Sequence, residues 1–185
     1  MKFSEIDSVA SRAAEQEGMT GEVGNIAQSC PKTTLEIGVF FDGTLNNRYN
    51  VVSRMREDGS YQNALSNPAL LYDRYKNGPT YNEPNACGGV GRAFRSIYVE
   101  GPGSARGEED DNAGFAFGQG ATGVESRVLW GFRQVLRQIG LMGGAPALEK
   151  VVLDVFGFSR GAAAARHFVN SICAREAEYD PWGPR

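Results

Sequence analysis

The stretch from Val151 to Arg166 constrains this chain more than any other. It opens with Val-Val-Leu-Asp-Val-Phe, the most strand-like segment present, and continues through Gly157-Phe158-Ser159-Arg160-Gly161 into an alanine-rich run read as a helix from Ala162 to Glu176. Strand, tight turn and helix in that order call for an α/β layering. The turn has the form G-x-S-x-G, which puts a serine on a sharp, strained bend where strand and helix crowd together. The positions two before and two after must then lack side chains. Ser159 would stand exposed above the sheet, with the N–H of Arg160 at the helix N-terminus aimed at the same point as an oxyanion donor. The alternative is a glycine-lined structural turn with no chemistry.

Other segments fit the same layering. Leu35–Phe41 is a short apolar run ended by Asp42-Gly43-Thr44, a buried strand entering a tight turn. Ile97-Tyr98-Val99 forms a second strand closed by Glu100-Gly101-Pro102-Gly103. Val124 to Ile139 is an amphipathic helix, with Val128, Leu129, Phe132, Val135, Leu136 and Ile139 recurring at three and four. The expected fold is therefore α/β, a mostly parallel sheet with flanking helices. Residues 45–96 are too long for a simple connection and hold five of the seven tyrosines, so they read as an insertion of short helices acting as an apolar-lined cap or binding loop. The second oxyanion donor in such a fold comes from the loop after an earlier strand, which makes the N–H of Gly43 or Thr44 the candidate. Asp42 either orients that loop or is ordinary turn chemistry.

Several other chemistries fail on inspection. Asp42-Gly43-Thr44 imitates the D-x-D-G-T motif of aspartate phosphatases, but Phe40 stands where the nucleophile belongs. Gly118, Gly120 and Gly123 match a dinucleotide fingerprint. No clear strand precedes them, and Gly143-Gly144 occupy the place of the ribose-binding acid. They read instead as a lead-in to the helix, with an anion at its N-terminus as the lesser alternative. Glu108 to Asp111 could hold a hard cation, or simply be a solvated loop. With 19 Lys and Arg against 22 Asp and Glu, the net charge of −3 opposes nucleic-acid binding. No run approaches the roughly 18 apolar residues that a membrane span needs. Cys30, Cys87 and Cys173 lack metal spacing and read as reduced thiols. No metal and no cofactor is expected. Residues 1–34 form a polar segment without the charged and apolar regions of a secretory signal.

The blocks Val39-Phe40-Phe41-Asp42-Gly43-Thr44-Leu45-Asn46-Asn47, Tyr98-Val99-Glu100-Gly101-Pro102-Gly103, the glycines from Gly118 to Gly123, and Gly157 to Arg166 together resemble an α/β-hydrolase-like family of bacteria and fungi. That family includes the first class of type VI secretion phospholipase effectors. The resemblance covers about residues 35–175. It implies a serine esterase or phospholipase acting on glycerophospholipids at a membrane surface, through an acyl-enzyme on Ser159. It also implies a toxin held in the bacterial cytoplasm, delivered by a secretion apparatus into the target-cell envelope, and neutralised in the producer by an immunity protein.

The chain departs from that pattern in one respect. The fold's triad runs Ser, Asp or Glu, then His, but the sole histidine is His167, about 12 Å along the helix that follows Ser159. The acid and base are therefore expected outside this sequence. Residues 35–185 would be the N-terminal part of a catalytic domain, incomplete at its C-terminus, and silent alone. The other reading is a non-catalytic interaction module that keeps the hydrolase scaffold and binds a protein partner.

Overall fold

A computed structural model describes residues 30–57, 59–111 and 120–173. Most of the polar segment 1–34, Gly118, and the expected helix end at Glu176 lie outside these residues. Among the described residues the sheet has four strands, β1 (Thr33–Phe41), β2 (Glu83–Pro84), β3 (Val90–Val99) and β4 (Leu148–Gly157), in the order β2-β3-β1-β4. β3 and β4 both run parallel to β1, and the two-residue β2 is antiparallel to β3. Three short helices separate β1 from β3: α1 (Arg48–Ser53), α2 (Gly59–Gln62) and α3 (Asn67–Arg74). The longer α4 (Val124–Leu141) leads to β4, and α5 (Arg160–Cys173) follows it. This is the α/β class with a mostly parallel sheet and helices on both faces. No described helix is long and apolar enough to cross a membrane.

Period-two alternation in β1 sorts its side chains between two cores. Leu35, Ile37, Val39 and Phe41 face α4 and α5, where they join Ile97, Val128, Val135, Ala164 and Phe168. α5 packs closely because its inner face is Gly161, Ala164, Ala165 and Phe168, small residues around one ring. On the opposite face Phe40 and Tyr98 pack with Ala69 of α3 and with Tyr49, Leu65, Tyr72 and Tyr75.

Part of residues 45–96, read as an insertion of short helices serving as a cap or binding loop, belongs to this second core. α3 lies directly on β1 and β3, and Tyr49, Tyr72 and Tyr75 of this segment pack against the sheet. Phe40 meets Tyr72 and Tyr75 edge-to-face, at 6.0 and 5.5 Å between ring centres. β3 also begins seven residues before the expected Ile97. Its arginines conceal it, because Arg92 pairs with Glu36 and Glu83 while Arg95 donates to the Phe94 carbonyl. The cysteine reading changes too. Cys30 and Cys87 form a disulfide with Cα atoms 5.9 Å apart, pinning the approach to β1 onto the β2–β3 turn. Their 57-residue separation gave no local signal.

Candidate active site at the strand C-termini

Parallel register brings three loops to one edge of the sheet. Phe41 at the end of β1 sits opposite Val99 of β3 and Gly157 of β4, and open α/β sheets bind their ligands at this carboxyl edge. The loops are bonded to one another. Asp42 N–H donates to the Val99 carbonyl (3.0 Å), Gly101 N–H to Asn46 (2.9 Å), and Phe158 N–H to the Phe41 carbonyl (3.1 Å).

Ser159 occupies the bend between β4 and α5 with φ of +55°, left-handed backbone that a serine rarely adopts. Its side chain is exposed. Both flanking glycines are sterically required. A Cβ on Gly157 would lie 2.6 Å from the Gly161 carbonyl oxygen, and one on Gly161 would lie 2.2 Å from that of Asp42. Here the sequence pattern and the geometry agree on a cause: strand, helix and β1 loop approach too closely for side chains at either position. Arg160 opens the first turn of α5. Its side chain turns to the β1 loop, donating from Nε to Thr44 Oγ1 at 2.6 Å.

Asp42 organises that loop. It is buried, and its carboxylate accepts from Gly43 N–H (2.7 Å), the Ser66 hydroxyl (2.7 Å) and the Tyr98 hydroxyl (2.5 Å). The Tyr98 oxygen in turn accepts from Arg48 N–H at 2.9 Å. Burial first, and the adjoining Asp42 charge second, hold the Tyr98 phenol far above the ordinary tyrosine range. Asp42 is thus more than a turn residue. Because Gly43 N–H is already given to its carboxylate, Thr44 is the better placed of the two proposed oxyanion donors. Gly43 serves by having no side chain, since a Cβ there would meet the Phe158 ring at 2.6 Å. Sequence reasoning missed Ser66 and Tyr98 as the partners of Asp42. Tyr98 lay in view beside Glu100-Gly101-Pro102-Gly103, but nothing in the sequence pairs it with Asp42.

The remaining candidates lie elsewhere. His167 is exposed on α5, more than two turns beyond Ser159. The acidic loop is drawn into local bonds: Glu109 pairs with Arg56 at 2.9 Å, Asp110 accepts from Ser60 N–H, and Asp111 accepts from the Thr122 hydroxyl. Among the described residues no cluster of three or more His, Cys, Asp or Glu could hold a metal ion. Gly120 and Gly123 turn the chain into α4, whose N-cap Gly123 offers no side-chain bond.

No family model matches this chain, and no curated protein matches it either. Among solved structures it is similar to one described as the Tle1 effector bound to the VgrG spike from the type 6 secretion system, with 22% identity and a TM-score of 0.39. The similarity covers 84% of this chain and 36% of that one, so the chain spans about a third of the length of that neighbour.

Proposed function

We propose that this chain carries the nucleophile and oxyanion hole of a serine ester hydrolase acting on glycerophospholipids, with the acid and base of its triad supplied by sequence beyond it. The observation that carries this reading is the backbone of Ser159, left-handed at +55° between two glycines that cannot accept a Cβ. Strain of this kind costs about 1 to 3 kcal/mol, and a purely structural turn could avoid it with glycine at position 159.

In the reaction, Ser159 Oγ attacks the ester carbonyl while its proton passes to the base. The N–H groups of Arg160 and Thr44 stabilise the tetrahedral oxyanion. Collapse expels the alcohol, which takes the proton, and water then hydrolyses the acyl-enzyme by the same route. Phe158, half exposed beside Ser159, and Phe156, stacked on Phe40 at 4.9 Å, give the approach an apolar wall suited to an acyl chain. The glycerophospholipid substrate, the secretion apparatus, the immunity partner and the site of action in the target-cell envelope rest on the family resemblance.

One observation favours a second reading, a non-catalytic module that binds a protein partner: the only histidine of the sequence is remote from Ser159. Ester hydrolysis by the complete enzyme separates the two. Ser159→Ala should lower kcat by about 10⁴- to 10⁶-fold with the melt unchanged. Near-full activity in a folded alanine variant would remove the hydrolase reading.

A further inference from the structure

A second cavity lies apart from Ser159, between α1 and the loop that follows β3. It has a volume of about 360 Å³ and is lined chiefly by Arg48, Tyr49, Val52, Met55 and Arg106. Both guanidinium groups are gathered on one ring, Arg106 at 4.5 Å and Arg48 at 5.2 Å from the centre of Tyr49. Arg48 bonds to Asp73, but its Nε is buried without a partner. Arg106 forms no ion pair among the described residues. Its backbone N–H is donated to Glu100 at 3.2 Å, and the Glu100 carboxylate is shared between the charges of Arg106 and Arg127, the latter at 3.7 Å. Three arginines, Arg48, Arg106 and Arg127, thus stand against two carboxylates, Asp73 and Glu100, and the cavity keeps a positive balance. Its rim is the opposite in character, because Val52 and Met55 are 71% and 77% exposed.

Guanidinium forks match the oxygens of phosphate and carboxylate groups, and an exposed apolar rim beside them gains by covering methylenes. The volume sits at the lower end of small-molecule sites, enough for a head group and the start of one chain. We propose that this cavity binds a single-chain amphiphile with an anionic head, a carboxylate or a phosphate monoester. The head lies between Arg48 and Arg106, and the first methylenes rest on Val52 and Met55. The site does not depend on the chemistry of Ser159.

Calorimetric titration of the full chain with decanoate and with decyl phosphate, each below its micelle concentration, tests this. Saturable one-to-one binding of at least one is expected, and the stronger of the two identifies the preferred head. Inorganic phosphate should bind at least tenfold more weakly, and decyltrimethylammonium should not compete. Arg106→Gln should weaken binding about tenfold or more, the usual worth of a charge-assisted bond, while Arg106→Lys should recover part of it. Met55→Asp should act in the same direction through the chain, and Ser159→Ala should leave binding unchanged. Failure of both anionic amphiphiles to bind would overturn the proposal. So would equal binding of the cationic one, or an Arg106→Gln variant with native affinity and a native melt.

Discussion

At the scale of single residues, the bend at Ser159 holds backbone geometry that side-chain chemistry alone would not require. Ser159 holds a left-handed φ that glycine adopts without cost. Ser159→Gly should therefore raise stability by about 1 kcal/mol, the lower end of such strain, while removing any acyl transfer. Ser159→Ala should abolish transfer without that gain, since alanine keeps the Cβ. Gly161→Ala should do the reverse of Ser159→Gly, because its new methyl would sit 2.2 Å from the Asp42 oxygen and 2.5 Å from that of Phe41. A loss of about 3 kcal/mol or more is expected as α5 is pushed from β1. Denaturant unfolding of the three variants reads these signs directly. If Ser159→Gly is no more stable than Ser159→Ala, the bend is not strained and its functional argument loses its basis.

At the scale of elements, legibility followed locality. β4, its turn and α5 were readable because the apolar run, two glycines and the alanine-rich stretch lie within one segment. α4 was readable through its spacing of three and four. The start of β3 was hidden by Arg92 and Arg95, whose partners Glu36, Glu83 and Asn82 stand on other segments. The packing of α3 on the sheet is hidden for a similar reason: nothing in the sequence sets Tyr72 and Tyr75 against Phe40. Of the site, Ser159 and its glycines were visible in the motif, while the Asp42–Tyr98–Ser66 arrangement joins residues too far apart in sequence to be paired by reading. Tyrosine titration checks this packed layer. Tyr49, Tyr75 and Tyr98 all have phenols raised above the ordinary value, burial being the largest cause in each, with the Asp154 hydrogen bond next for Tyr75. A raised folded value means their contribution to stability is present below pH about 10 and is lost as pH climbs through the raised values. At pH a little above 10, Tyr49, Tyr75 and Tyr98 should carry less phenolate in the folded chain than in the denatured one. Equal phenolate absorbance in the two states would mean that the layer is open to solvent.

At the scale of the whole molecule, two features govern behaviour in solution. The Cys30–Cys87 bridge closes a 57-residue interval, worth about 4 kcal/mol by loop closure. Reduction should lower the unfolding midpoint accordingly, and Cys87→Ser should match the reduced protein and no longer respond to reductant. Among the described residues β4 is an outer strand of the sheet with only β1 beside it, and its apolar residues from Val151 to Phe156 are not fully buried. Uncovered edges of this kind pair with other chains. Sedimentation should therefore show concentration-dependent association of the isolated chain, whereas a sharp monomer with a cooperative melt would indicate an edge that needs no cover. That Ser159 is a nucleophile awaiting its base is tested by fluorophosphonate labelling with mass mapping of the adduct, run on this chain alone and on the complete enzyme that the proposed function implies. The complete enzyme should carry a stoichiometric adduct on Ser159 that is lost in Ser159→Ala, and the 185-residue chain should stay unlabelled. A complete enzyme that is folded yet unlabelled, or labelled on another residue, would contradict it.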